Sequence, residues 1–253
     1  MGKLVLITGA TAGIGEATAV IFAANGCDLI LTGRRAPRLA KIKKHLESKY
    51  KIKVTTLSFD VSSLKECESM VNENKKMLSN LDVLINNAGL AAGIEATQEA
   101  HIEDWEVMID TNIKGLLYMT RLILPMMIKK NSGHIVNLGS VAGRWTYPRG
   151  GVYCATKAAV LAITEGIRMD LVGKPIRVTN VSPGMVETEF SLVRLKDAEK
   201  AKAVYKQIKP LSAVDVAETI FWCVERPPHV NIQEVIMFPT EQVSAGHVIR
   251  EAK

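Results

Sequence analysis

The sequence predicts an α/β fold: a single domain over residues 1–253, built on a doubly wound, seven-stranded parallel sheet with helices on both faces. Three observations carry this expectation. Short, nearly unbroken apolar runs recur along the chain, and longer amphipathic stretches separate them. A glycine-rich turn, Thr8 to Gly15, follows the first run and opens the first amphipathic stretch. Continuous apolarity over about four to six residues is what a strand covered on both faces looks like, and alternation with helices implies crossover connections.

The elements follow in order. Leu4–Ile7 reads as the first strand and residues 13–25 as the helix behind the glycine turn. Leu29–Leu31 is the second strand, with a helix over 37–49; Val54–Leu57 is the third, and Ser62-Ser63 then offer caps for a helix over 63–79. Leu81–Ile85 precedes a long helical pattern over 101–130, which Pro125 is expected to end or kink and Gly133 to stop. Within it Trp105, Met108, Ile109, Ile113, Leu116 and Leu117 form an apolar stripe that reads as core. His134–Leu138 is the fifth strand, and a helix over 151–173 should stop at Gly173. Ile176–Val181 and Val235–Phe238 close the sheet, the latter after a helix over 212–225 that Ser212 and Asp215 open as a capping box. The stretch from Pro183 to about Lys209 is the one long irregular connection. It follows a strand's carboxyl end, where open α/β sheets bind ligands, and reads as a substrate loop over about 183–209.

Composition narrows the function classes. With 47% hydrophobic and 23% charged residues the 253-residue chain is globular, and no apolar run approaches the roughly 20 residues that span a bilayer. The N-terminus runs straight into a strand pattern without signal-peptide architecture. Cys27, Cys67, Cys154 and Cys223 are scattered, with no Cys-x-x-Cys pair, which reads as reduced thiols in a cytoplasmic protein. The net charge of +6 is dispersed rather than clustered, so no nucleic-acid partner is expected. Five histidines without ligand spacing give no metal site, and no membrane association is expected either.

The chemistry concentrates in two places. In the turn Gly9-Ala10-Thr11-Ala12-Gly13-Ile14-Gly15, small residues let backbone N–H groups and the helix dipole approach a pyrophosphate. At the end of the second strand the chain reads Gly33-Arg34-Arg35 where NAD-binding domains carry an acid for the ribose 2′-hydroxyl. Arg34 and Arg35 instead suit a 2′-phosphate, which selects NADP(H). Farther along, Tyr153-x-x-x-Lys157 puts a phenol and an ammonium one helical turn apart, and Ser140 can reach them through a loop. A nucleotide site beside a tunable proton donor is the equipment of a hydride-transfer enzyme.

These residues resemble the short-chain dehydrogenase/reductase superfamily, whose members are single-domain Rossmann folds. The resemblance rests on Thr-Gly-x-x-x-Gly-Ile-Gly at 8–15, Asp60-Val61, Asn86-Asn87-Ala88-Gly89, Asn112, Ser140, Tyr153-x-x-x-Lys157, and Pro183-Gly184 with Val186 and Thr188. It implies roles residue by residue. Tyr153 is the general acid in carbonyl reduction and the base in alcohol oxidation; Lys157 stabilises the phenolate and bonds the nicotinamide ribose. Ser140 hydrogen-bonds the substrate oxygen, and Asn112 holds a water linking Lys157 to solvent. Asp60 and Val61 contact the adenine, Asn87 the adenine-side ribose region, and Gly184 to Thr188 pass the nicotinamide carboxamide, with Ala88, Gly89 and Pro183 also bordering the cofactor. An ammonium and the oxidised ring then bring the phenol down from near pH 10.

Within the superfamily the chain looks most like the NADP-dependent 3-hydroxy acid dehydrogenases, a group that includes serine dehydrogenases. Asp104-Trp105, Met108 to Asn112, Val186 to Arg194, and Phe238-Pro239-Thr240 carry that likeness. It implies reversible oxidation of a 3-hydroxy acid of the L-serine, L-allo-threonine or 3-hydroxyisobutyrate class to its 3-oxo acid. The alternatives are an NADPH-dependent ketone or 3-oxoacyl-thioester reductase and, remotely, a non-catalytic nucleotide-sensing protein. A substrate carboxylate needs a donor; Arg144, Arg149 and Arg194 are candidates, with Arg194 and Arg144 ranked first. By the same likeness the helices around 101–130 and 151–173 form subunit faces in a homotetramer.

Overall fold

The computed structural model describes residues 2–250. Seven strands form one parallel sheet: β1 (Leu4–Ile7), β2 (Asp28–Thr32), β3 (Val54–Leu57), β4 (Val83–Asn86), β5 (Gly133–Leu138), β6 (Ile176–Pro183) and, after two short strands introduced below, β9 (Glu234–Met237). Their order is β3-β2-β1-β4-β5-β6-β9. All six neighbouring pairs are parallel.

Alternation along the strands builds two cores. Val5 and Ile7 with Leu29 and Leu31 face α1 (Gly13–Ala24), α2 (Ala36–Tyr50) and, late in the chain, α10 (Ala213–Val224); Phe22, Leu39, Leu46 and Ile220 fill this layer. Leu6, Ile30, Leu84, Ile135 and Val178 point the other way, onto Met119, Ile123 and Met127. Successive strand residues serve opposite faces, so a strand without polar alternation is one with helices on both sides.

Two long helical patterns resolve differently from expectation. The pattern over 63–79 is α3 (Leu64–Glu73) and a short α4 (Lys75–Leu78), split at Asn74. Ser63 caps α3, accepting from Glu66 N at 3.3 Å. At the break Asn74 turns its amide back onto Met70 O at 2.8 Å, the competition with backbone bonding that makes asparagine a poor interior residue. The pattern over 101–130 is one continuous helix, with α5 (Ile102–Ile109) and α6 (Leu116–Lys130) joined by a π-helical segment, Asp110–Gly115. Pro125 sits inside α6 and does not end it. Packing of Met119, Ile123 and Met127 on the sheet outweighs its cost of about 3 kcal/mol. The stop is Asn131, in the left-handed region at φ 57°. Gly133 instead begins β5, where a Cβ would stand 2.6 Å from Met127 Sδ.

α7 (Gly151–Asp170) ends three residues before Gly173. The stretch over 183–209 is not irregular: it holds β7 (Val186–Glu187), α8 (Phe190–Leu195) and α9 (Ala198–Val204), and β7 pairs in parallel with β8 (Leu211–Ser212). Ser212 and Asp215 form the expected capping box on α10. A last hairpin, β10 (Gln242–Ser244) with β11 (His247–Val248), follows β9. Among the described residues no helix is long and apolar enough to cross a membrane, and no cluster of histidine, cysteine and carboxylates could hold a metal ion. The four cysteines are buried and free.

Candidate active site

Strand order reverses between β1 and β4, and a cavity of roughly 380 Å³ lies at the carboxyl ends of the strands around that point. Its walls are the turn after β1, Gly33 to Arg35 after β2, Asn87 to Leu90 after β4, Gly139-Ser140 after β5, and Pro183-Gly184 at the end of β6. Helix α7 contributes Tyr153 and Lys157, and the segment Thr188 to Phe190 with Val193 covers the opening.

The glycine turn is shaped for a close-approaching ligand. Gly9 (φ 64°) and Gly13 (φ 55°) are left-handed, and a Cβ on Gly9 would lie 2.9 Å from Ala88 Cα. Thr8 ties this turn to the one after β4: its hydroxyl accepts from Asn87 N and Ala88 N, each at 3.0 Å. The Asn87 amide donates to Thr8 O at 2.8 Å and Gly9 O at 3.1 Å. Asn87 thus lines the cavity, but its side-chain amide braces the turn. Two expected cofactor residues stand outside the lining. Ala10 is fully buried, its N–H on Thr32 O at 2.9 Å, and Gly15 packs beneath the turn, where a Cβ would meet Gly9 O at 2.4 Å. Both shape the turn from behind. Thr11, Ala12, Gly13 and Ile14 border the cavity, as do Asp60, Val61, Ala88 and Gly89.

The two arginines differ. Arg34 is 65% exposed, with a single 3.4 Å contact to Asp60, whose carboxyl is held low by its bonds from Ser62 and by Arg34 against a burial cost. Arg35 sets Nε (3.0 Å) and one terminal nitrogen (2.7 Å) on the Thr11 hydroxyl, and the other nitrogen on Glu189 at 3.0 Å. A left-handed glycine turn at a helix N-terminus, beside an open guanidinium, fits a dinucleotide carrying a 2′-phosphate.

At the other end, Tyr153 and Lys157 sit one turn apart on α7 and both are buried. Lys157 Nζ donates to Leu138 O at 2.8 Å. Burial lowers its pKa from 10.5 to about 8. The phenol moves oppositely: burial pushes it above its usual range, while the Ser140 hydroxyl and the Arg194 charge pull it back. The depression expected from the Lys157 ammonium does not appear; burial dominates, and the groups that lower the phenol are Ser140 and Arg194. Ser140, at the end of β5, accepts from Ala142 N at 3.1 Å and faces Pro183 O at 3.5 Å.

Asn112 does not line the cavity. It is buried in the π-helical segment, its amide donating to Leu90 O (2.8 Å) and Thr156 Oγ1 (3.0 Å) and its oxygen accepting from Leu90 N (2.8 Å). Only Gly89 separates it from Lys157: a Cβ there would stand 3.2 Å from Asn112 Oδ1 and 3.5 Å from Lys157 Nζ.

The arginine candidates sort clearly. Arg144 is paired bidentately with Glu234 and lines neither cavity. Arg194 donates to Gly93 O (3.1 Å), Tyr147 OH (2.8 Å) and Arg149 O (3.2 Å), holding α8 against two other loops. The Arg149 side chain makes no hydrogen bond among the described residues and borders a second cavity, about 40 Å³, that shares Tyr153 with the first. Glu189 and Phe190 also line the cavity without any sequence signal of their own, because a segment that folds over a cleft leaves no periodic pattern. The spacing Thr188-Glu189-Phe190 beyond Pro183-Gly184 was the one available hint.

A doubly wound sheet with a dinucleotide cradle at its switch point and a buried tyrosine–lysine pair defines a nucleotide-dependent oxidoreductase of the Rossmann class. The chain belongs to the short-chain dehydrogenases: residues 3–209 match the model of that family. It is 47% identical over 245 residues to the NADP-dependent 3-hydroxy acid dehydrogenase YdfG of Salmonella typhi, covering 96% of this chain and 97% of that protein. It is 46% identical over 251 residues to sulfoacetaldehyde reductase 2 of Chromohalobacter salexigens, covering 98% and 99%. Among solved structures, the closed form of a serine dehydrogenase complexed with NADP+ superposes with a TM-score of 0.91 at 44% identity, covering 98% of this chain and all (100%) of that one.

Proposed function

We propose that this chain is an NADP-dependent oxidoreductase, one catalytic domain that interconverts a 3-hydroxy acid and its 3-oxo acid by hydride transfer. The observation that carries the reading is one cavity with Ser140, Tyr153 and Lys157 at one end and Arg34 and Arg35 at the other. The substrate class is supported by relatives named for 3-hydroxy acid and serine oxidation. When bound, the coenzyme supplies the hydride acceptor or donor and, oxidised, a positively charged ring. Arg34 holds the 2′-phosphate, and the turn Gly9 to Ile14 takes the pyrophosphate. Asp60 and Val61 face the adenine, Asn87 to Gly89 its ribose, and Pro183 to Thr188 the carboxamide.

Ser140 Oγ hydrogen-bonds the substrate oxygen and fixes it beside Tyr153. In oxidation Tyr153 Oη takes the hydroxyl proton as hydride leaves the carbon; in reduction it returns that proton to the forming alkoxide. Lys157, with a pKa near 8, is protonated in good part at neutral pH and stabilises the phenolate so formed. Asn112, bonded to both backbone groups of Leu90 and to Thr156, holds the turn after β4 behind Lys157, where a water linking Lys157 to solvent would sit. The substrate carboxylate reaches Arg149, whose side chain makes no hydrogen bond among the described residues and which borders the small cavity that Tyr153 and Arg194 also line.

The assembly is a homotetramer, an inference supported by exposed apolar side chains on the expected faces, including Ile109, Leu117 and Met169. Four buried free thiols support a cytoplasmic location. The test is NADP reduction with L-serine, L-allo-threonine, 3-hydroxyisobutyrate and 3-hydroxypropionate, set against simple secondary alcohols and against NAD. NADP-dependent turnover of hydroxy acids supports the reading. Turnover of alcohols alone discards the carboxylate site, and activity only on 3-oxoacyl thioesters with NADPH replaces it with the reductase alternative.

A further inference from the structure

The C-terminal hairpin reaches back to the turn that follows β6. Gln242, the first residue of β10, is buried, with 6% of its surface exposed. Its Oε1 accepts from Met185 N at 2.7 Å, and its Nε2 donates to Ser244 O at 3.0 Å. The Gln242 N–H bonds Pro239 O at 3.0 Å, so backbone and side chain both fix its place. A Cβ on Gly184 would stand 2.3 Å from Gln242 Oε1, which sets the amide directly against the backbone of the turn.

The turn is held between two surfaces. Pro183, Gly184, Val186 and Thr188 border the cavity, and Gln242 stands behind them, outside the lining. Gly184 N donates to Met237 O at 2.7 Å, Leu211 N to Met185 O at 2.9 Å, and Tyr205 OH to Val186 O at 2.9 Å. Gln242 adds the bond to Met185 N. An apolar side chain of similar volume would fill the same space. What the amide adds is a bond to the turn and a bond to its own hairpin, each satisfying a polar group that burial would otherwise penalise.

We propose that Gln242 is a positioning residue: through Met185 N it holds the turn from Pro183 to Thr188 in the orientation that receives the nicotinamide half of the coenzyme. The inference rests on the NADP reading above and deepens it. Arg34 and Asp60 follow β2 and β3, toward the opposite edge of the sheet from β6. Gln242 therefore acts on one half of the coenzyme and leaves the anchoring of the 2′-phosphate alone. Hydride transfer depends on close placement of the reacting ring, so a turn released from Gln242 costs turnover as well as affinity.

The experiment separates the two halves of the coenzyme by direct binding. NADPH and 2′,5′-ADP, which lacks the nicotinamide half, are titrated by fluorescence and calorimetry into the wild type and three variants. Gln242→Leu fills the space without the bonds, Gln242→Asn keeps the amide but is too short to reach Met185 N, and Gln242→Glu keeps the acceptor. Loss of one buried bond is expected to weaken NADPH about three- to thirtyfold in Gln242→Leu and Gln242→Asn, with kcat falling alongside and 2′,5′-ADP within about twofold of wild type. Gln242→Glu should bind NADPH more tightly than either. A merely structural role would move both ligands or neither. Equal weakening of NADPH and 2′,5′-ADP, or unchanged NADPH affinity, overturns the proposal; should Gln242→Leu fail to fold, Gln242→Asn decides. Wild-type protein that binds 2′,5′-ADP no more tightly than 5′-AMP would instead overturn the NADP reading, and the same comparison is then read with NADH and 5′-AMP.

Discussion

The Phe190 ring stands edge-on against Tyr153, their centroids 5.6 Å apart and their planes inclined by 60°. A residue of the cover therefore supplies part of the apolar shell that raises the phenol's pKa. Phe190→Ala removes that shell and admits water. We expect a roughly tenfold loss of kcat/KM for alcohol oxidation, from lost packing of about 1 kcal/mol and poorer exclusion of water. The acidic limb of the oxidation pH profile, which the base sets, should also move to lower pH, because the phenolate is less desolvated. A profile that stays in place would show that the ring does not set the environment of Tyr153.

Arg194 and Arg149 are separable by substrate. Arg194 is engaged by Gly93 O, Tyr147 OH and Arg149 O, and its cation also sits 5.4 Å from the Tyr147 ring centroid. Arg194→Met should depress kcat/KM for hydroxy acids and neutral secondary alcohols alike. Arg149→Met should cost hydroxy acids about 10- to 100-fold and spare the alcohols, as loss of a charge-assisted bond implies. Selectivity appearing in Arg194→Met instead would move the carboxylate to that side chain.

Lys157 carries a stability cost with a defined pH window. Its pKa falls from 10.5 in the open chain to about 8 when folded, so below pH 8 both states are protonated and the cost stands in full, about 3 kcal/mol. Between pH 8 and 10.5 the unfolded state binds more protons, so wild-type stability rises with pH through that window. Lys157→Met should abolish turnover yet raise Tm by about 5 °C at pH 7, after about 1 kcal/mol is returned for the unpaired Leu138 O. The gain should shrink as pH approaches 10.5 in calorimetry. A Tm below wild type at pH 7 would mean that the bond to Leu138 outweighs burial of the charge.

Arg34 is the open member of the arginine pair, and its removal should be felt only by the phosphorylated coenzyme. Arg34→Ala should lower kcat/KM for NADP about 10- to 100-fold and leave NAD within about twofold. Equal losses with both coenzymes would place the 2′-phosphate elsewhere.

Much of this was legible in the sequence. The seven strands fall within about two residues of expectation, because a strand covered on both faces must be apolar throughout, as Leu4–Ile7 is. The glycine turn, Ser140 and the Tyr153–Lys157 spacing were readable because each answers a local requirement: close backbone approach, a strand end, one turn of helix. What escaped was tertiary. Nothing local says that Pro125 is tolerated, since packing on the sheet decides it, or that Arg144 meets Glu234, ninety residues on. The two short helices of the cover, and the reach of Glu189 to Arg35 and Arg38, exist only once the chain has closed over its cleft.

The central claim is that Tyr153 transfers the proton in this cavity while the coenzyme binds independently of it. Tyr153→Phe, assayed for hydroxy acid oxidation and titrated with NADPH by fluorescence, tests it most directly. The account predicts turnover reduced at least about a thousandfold, at the level of a lost general acid–base, with NADPH affinity within about twofold of wild type. Turnover near wild type in a variant that binds NADPH normally would contradict it.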